Sequence, residues 1–176
     1  MIDTPRLILR MPVAADHAAL FAIWCDPAVM ADLGGPKDEA ACAATLARHA
    51  GYAQLGFGVV ERRDDGAVIG HVGLKPGAPH TPIAGMLEIG WAIGREHWGA
   101  GYAREAAAGW LGWAWANRDE AAIHAITARR NAASRAVMAR LGMRHVAALD
   151  FFHPVHADDP ALADSVTYRI DRALDD

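Results

Sequence analysis

Residues Glu88 to Trp115, EIGWAIGREHWGAGYAREAAAGWLGWAW, constrain the fold more than any other stretch. The segment that leads into it, Ile83 to Ile93, alternates and reads as a strand. Tyr102 to Asn117 is rich in alanine and tryptophan and reads as a helix that is apolar on nearly all faces, which implies burial. Between them stand Gly99, Gly101 and the small Ala103. Where a strand feeds a helix through residues without bulky side chains, a ligand can approach the backbone closely. The first amides of the helix have no intrahelical acceptor and sit at the positive end of its dipole. Such a junction is a natural site for a phosphate or pyrophosphate. It is equally what a tight turn with glycines for packing would look like. A Walker loop would need Gly-Lys-Ser/Thr, and no lysine is present. A dinucleotide fingerprint would want glycine where Arg104 stands.

The rest of the chain surrounds this unit with alternating elements. Arg6 to Met11 is a strand candidate, and Asp16 to Asp26 and Lys37 to His49 are helix candidates. Gly56 to Arg63 and Ala67 to Lys75 are strands joined across Arg63-Asp64-Asp65-Gly66, a hairpin signal. After the long helix come a strand at Ala122 to Ala128, a helix at Asn131 to Leu141 ended by Gly142, and strands at Met143 to Leu149 and Ser165 to Ile170. Asp150 to Asp164 reads as an irregular acidic loop. The order implies a mixed α/β sheet with helices on both faces, in one domain over residues 1–176. Gly109 and Gly112 inside the long helix cost it roughly 1 kcal/mol each relative to alanine, which close packing against the sheet would offset.

A formal charge of −4 gives no electrostatic reason to expect nucleic acid. Cys25 and Cys42 form neither a metal-spaced cluster nor a disulfide framework. The His153-Pro154-Val155-His156 pair lacks an obvious third ligand, so no metal is expected. The N-terminus has charges inside its only apolar run, and no uncharged run approaches a membrane span, so a cytoplasmic protein is expected.

EIGWAIGREHWGAGYAREA resembles the cofactor-binding motif of the GNAT superfamily of acyl-CoA-dependent N-acetyltransferases. TPRLILR (Thr4 to Arg10), GAVIGHVGL (Gly66 to Leu74) and RRNAASRAVMARLGM (Arg129 to Met143) are similar to its RimJ/RimL-type branch. The resemblance runs in order along nearly the whole chain. It implies a GNAT fold, splayed between the fourth and fifth strands, with acetyl-CoA wedged in the split. By the same resemblance, the backbone of Trp91, Ala92 and Ile93 pairs with the pantetheine arm. Amides of Trp98, Gly99, Ala100, Gly101, Tyr102 and Ala103 hold the pyrophosphate, and Asn131 and Ser134 lie near the thioester. Trp98 stands where the wider superfamily has Arg or Gln, an aromatic being frequent in this branch.

Acetyl transfer needs a neutral amine, stabilisation of the oxyanion and a proton for the leaving thiolate. The resemblance implies a main-chain N–H near Ile89 to Trp91 for the oxyanion. Glu88 is the candidate base; the alternative is a strand glutamate that pairs with a cation or orders water. Where many relatives have an acid tyrosine, this chain has Met138, which has no proton to give. Ser134 is the substitute the branch suggests, as proton donor or as a contact to the pantetheine, with water as the other proton source. Trp24, the early helices, Phe151 and Phe152 are expected on the acceptor side, and Asp26 and Asp32 are either amine attractors or solvated helix-end acids. The implied acceptor is a protein N-terminal amine. A small-molecule amine (polyamine, amino acid or antibiotic) and a non-catalytic acyl-CoA sensor are the alternatives. Neither nucleic acid nor membrane is expected as a partner, and the chain is expected to be a monomer or homodimer.

Overall fold

The computed structural model describes residues 1–52 and 55–173. Its strands are β1 (Ile2–Asp3), β2 (Leu7–Arg10), β3 (Gly56–Arg62), β4 (Val68–Pro76), β5 (Leu87–Ile93), β6 (Ala122–Ala128), β7 (Arg144–His145), β8 (Phe151–Phe152) and β9 (Asp164–Asp171). Its helices are α1 (His17–Trp24), α2 (Pro27–Met30), α3 (Glu39–Ala50), α4 (Tyr102–Asn117), α5 (Ala132–Arg140) and α6 (Pro160–Ala163). Among the described residues one mixed sheet runs β1-β2-β3-β4-β5-β6-β9-β7, with β8 beside β9. Every strand pair is antiparallel except β5–β6.

Strand alternation divides the core in two. Val60 belongs to the cluster beneath α4, with Leu7, Leu9, Ile89, Ile93 and Trp110. Its neighbour Val59 belongs to the other face, with Leu20, Trp24 and Cys42 from α1 and α3 and Ala92 from β5. Helices therefore cover both faces, as the alternation predicted.

The expected splay lies between β5 and β6, the fourth and fifth strands if the short β1 is not counted. Glu88 and His124 are the one register pair between them, whereas β6 and β9 pair from Ala122 to Ala128. Beyond Glu88 the two strands part.

Four expectations need correction. The strand before the glycine turn starts at Leu87, not Ile83. Ile83 to Met86 is a turn closed by the Met86 amide on the Ile83 carbonyl, with Gly85 at φ +73°. Met143 to Leu149 is strand only at Arg144–His145. The Asp150 carboxylate accepts the Thr167 amide at 3.1 Å and the Thr167 hydroxyl donates to the Leu149 carbonyl, so side chains replace the ladder there. The stretch 150–164 carries β8 and α6, the latter capped by Asp159, which accepts from the amides of Ala161 and Leu162. Finally, α4 is buried on one side only: Ala106, Ala107, Trp110, Leu111 and Ala114 face the core, while Ala108, Gly112 and Ala116 are exposed. A small side chain fits either environment, so an alanine-rich pattern does not reveal the exposed face.

Candidate active site

The β4–β5 ladder decides which backbone groups of β5 remain available. The Gly77 amide donates to the opposed Met86 carbonyl, and the Gly94 amide to the opposed Ile69 carbonyl. Bonded pairs alternate along an antiparallel ladder. Glu88, Gly90 and Ala92 therefore spend their amides and carbonyls on β4, while Leu87, Ile89, Trp91 and Ile93 turn theirs toward the split. The parallel bridge at Glu88 must run through its neighbours, Leu87 C=O and Ile89 N–H. Trp91 N–H is then the first donor of β5 past the fork without a strand partner. Of the three residues expected along a pantetheine arm, Trp91 and Ile93 present backbone to the split and Ala92 does not. The Ile93 carbonyl accepts from the Trp98 indole at 2.7 Å.

The glycine turn is built to leave amides open. Gly99 (φ +77°) and Gly101 (φ +83°) are in the left-handed region, where a Cβ is strained. Within 98–104 the Trp98 amide donates to the Arg95 carbonyl. Among the described residues the amides of Gly99, Ala100, Gly101, Tyr102, Ala103 and Arg104 have no protein acceptor. Arg6, from the TPRLILR segment, steadies the turn. It donates to the Ala100 carbonyl at 3.0 Å, pairs with Glu105 at 2.7 Å and stacks over the Tyr102 ring at 4.6 Å. That role was invisible in sequence because 94 residues separate Arg6 from Ala100.

Two cavities occupy the split. One, of about 660 Å³, runs along Trp91 to Ile93, the turn at Trp98 to Arg104 and the N-terminal half of α5 from Asn131. The other, of about 870 Å³, lies between α1, α3 and β3–β5, with Glu88 on its wall. They share Leu33, Trp91 and Ser134, so the two cavities adjoin along these residues. Asn131 caps α5, its side-chain oxygen accepting the Ser134 amide at 3.0 Å. The Ser134 hydroxyl has no hydrogen-bond partner among the described residues. Met138, one turn further on, is buried and also lines the larger cavity.

Glu88 is the sole carboxylate on the larger cavity among the described residues, and its side chain pairs with Lys75 opposite on β4. Three buried polar groups there were not anticipated. The His71 Nδ1 accepts from the Trp24 indole at 2.8 Å, and the His49 Nδ1 accepts from the Phe57 amide at 3.2 Å. Both donors are N–H groups, so each neutral ring carries its proton on Nε2. Burial pushes both imidazoles down to about 3, helped for His49 by Arg48, Lys75 and Lys37, and for His71 by His49 and Lys37. Two neutral rings, each with Nε2–H as a donor, thus line the cavity. The third group is the Thr127 hydroxyl, buried with no partner. A histidine inside the apolar run VIGHVGL is the one sequence signal that pointed here.

Of the residues expected on the acceptor side, Trp24 lines the cavity, whereas His153 and Val155 rather than Phe151 or Phe152 represent the last loop. Asp26 caps α2 through the Ala28 amide, and Asp32 pairs with Arg130 at 2.7 Å, so both acids are engaged in structure. No group of three His, Cys, Asp or Glu among the described residues is disposed to hold a metal, and none of their helices is long and apolar enough to cross a membrane.

The profile of the acetyltransferase (GNAT) domain matches residues 6–144. The uncharacterized protein YkkB of Bacillus subtilis is 30% identical over 147 residues, covering 81% of this chain and 84% of that protein. The FsC-acetyl coenzyme A-N(2)-transacetylase of Aspergillus fumigatus is 30% identical over 181 residues, covering 97% of this chain and 76% of that one. The crystal structure of a GNAT-family acetyltransferase from Bacillus anthracis superimposes with a TM-score of 0.80 at 24% identity, over 97% of each chain. With a forked sheet, open amides at the glycine turn and a profile match over most of its length, the chain belongs to the GNAT acetyltransferase family, whose members take acetyl-CoA as co-substrate.

Proposed function

We propose that this protein transfers the acetyl group of acetyl-CoA to a primary amine by direct attack in the larger cavity. The observation that carries this is the meeting of the two cavities at Trp91 and Ser134. A cofactor in the narrower groove would bring its thioester to that point, and an amine in the wider one would face it. The diphosphate would lie on the open amides of Gly99 to Ala103 and at the positive end of α4. The pantetheine would run along Trp91 and Ile93. The Trp91 N–H would receive the developing oxyanion, a dipole already in place before reaction.

Glu88 takes the amine proton, directly or through water, beside its cross-strand partner Lys75. Neither His49 nor His71 serves as base, because Nδ1 is engaged and Nε2 already carries a proton. The Ser134 hydroxyl contacts the departing sulfur, and water supplies the proton that Met138 cannot. Replacing Glu88 with Gln is expected to lower kcat by about 10²-fold and to flatten the alkaline rise of kcat/KM. An unchanged profile removes Glu88 as base.

For the acceptor, a half-open site of about 870 Å³ lies within the usual range for small molecules, which supports a compact amine. The RimJ/RimL-type motifs support a peptide N-terminus instead, since protein N-terminal amines are that branch's best-known acceptors. The deciding experiment is thiol release from acetyl-CoA with a panel of N-terminal peptides, amino acids and polyamines. Acceleration above hydrolysis by at least one amine supports the reading. No acceleration by any, with acetyl-CoA still bound, leaves an acyl-CoA sensor.

A further inference from the structure

The charge on the larger cavity says more about the acceptor than its size. Its titratable lining comprises the cations Lys37, Arg48 and Lys75, one carboxylate, Glu88, the phenol of Tyr52, and imidazoles of which His49, His71 and His153 are pushed toward the neutral form. Glu88 is already paired with Lys75. Lys37 and Arg48 have no ion-pair partner among the described residues. His71 and His49 stand on either side of Phe57, whose ring lies 3.7 Å from His49 and 4.3 Å from His71, centroid to centroid. Both rings are more than nine-tenths buried, and neither Nε2–H has an acceptor among the described residues. Neither Nε2 is among the buried atoms left without a partner, so both open onto the cavity as available donors. Two such donors beside two free cations want a negatively charged oxygen, and hydrogen bonds to a charged group are about twice as strong as neutral ones.

We infer that the acceptor amine carries a carboxylate, which His71, His49, Lys37 and Arg48 hold while the amine faces Glu88. The inference rests on the transferase reading above and narrows its substrate class. A polyamine is disfavoured, because its second ammonium would meet Lys37 and Arg48 with no free carboxylate to receive it. The same cations disfavour the ammonium form of the reacting amine and so promote the neutral nucleophile.

The test uses matched acceptors: the twenty amino acids, their α-amides, and spermidine, each with acetyl-CoA and the full-length protein. For the best amino acid, kcat/KM is expected to exceed that of its amide by at least 10-fold. That ratio is expected to fall below about 3-fold in a Lys37→Met, Arg48→Met double variant, both positions lying outside the core. Equal rates for acid and amide, or a preference for spermidine, overturn the inference while leaving acetyl transfer intact. Turnover with no acceptor overturns the transferase reading instead. The subsite is then read by calorimetry on the CoA-bound protein with N-acetyl amino acids against their amides. Tighter binding of the acids upholds it, and equal or absent binding rejects it.

Discussion

At the residue scale, what the site can do is set by which polar atoms are already engaged. His71 and His49 line the larger cavity, and a histidine there invites a reading as general base. The Trp24 indole and the Phe57 amide rule it out by occupying Nδ1. Both rings bind a proton far less readily in the folded than in the unfolded chain, about 3 against an ordinary 6.5. Between those values the unfolded state holds more protons, so stability is full above about pH 6.5 and falls on acidification toward pH 3. Each ring contributes at most about 1.4 kcal/mol per pH unit. Urea midpoints at pH 7, 6 and 5 are expected to fall, less so in His49→Gln. A flat response over this window, which lies above the carboxylate range, contradicts the assignment. Thr127 is the complementary case. If its lone hydroxyl serves the acceptor, Thr127→Val raises stability by about 1 kcal/mol while raising the acceptor KM. An unchanged KM removes it from the site. The face that Glu88 takes was legible because strand alternation places it opposite Leu87 and Ile89, whereas its candidacy as base came from the family resemblance. Its partner Lys75 was not legible, because pairing across β4 and β5 depends on register, and so on the turn at 77–86.

At the element scale, the glycine turn and α4 were the most legible parts, since strand, turn and helix are contiguous and each obeys a local rule. The two helix glycines show where local rules end. A Cβ on Gly109 would meet Leu9 at 3.0 Å and Thr4 at 3.1 Å, so close packing accounts for it. A Cβ on Gly112 would meet nothing within 4 Å, and nothing in the structure explains that glycine. Gly112→Ala is therefore expected to stabilise the protein by about 1 kcal/mol, and Gly109→Ala by less or not at all, as thermal unfolding can read. Gly101→Ala would keep its space, the nearest atom being Arg6 Nη2 at 3.6 Å, but strain φ +83°. It is expected to weaken CoA about 5–10-fold, equivalent to about 1 kcal/mol or slightly more. Calorimetric affinity equal to wild type would show that the turn's shape is not what binds. Short elements were the least legible. The Asp-Pro pairs at 26–27 and 159–160 each open a four-residue helix, N-capped by the aspartate. In sequence, the first of these reads as a helix stop, although the same residues are also a start signal.

At the scale of the whole molecule, function follows from a sheet that pairs fully on either side and fails to pair in the middle. From the Glu88–His124 bridge onward, β5 and β6 each keep an outer partner, β4 and β9, and lose each other. The open edges supply main-chain donors, α4 supplies a helix start, and the early helices wall the larger cavity. Motif order implied this arrangement, but not the sign of the cavity's charge, which Lys37, Arg48 and Lys75 bring together from three separate segments. The most direct test is a crystal structure with bound CoA. The account predicts diphosphate oxygens within hydrogen-bond distance of the amides of Gly99 to Ala103, and the sulfur beside Trp91 N–H and Ser134. A diphosphate bound elsewhere, or a sulfur that does not reach the junction of the two cavities, would contradict it.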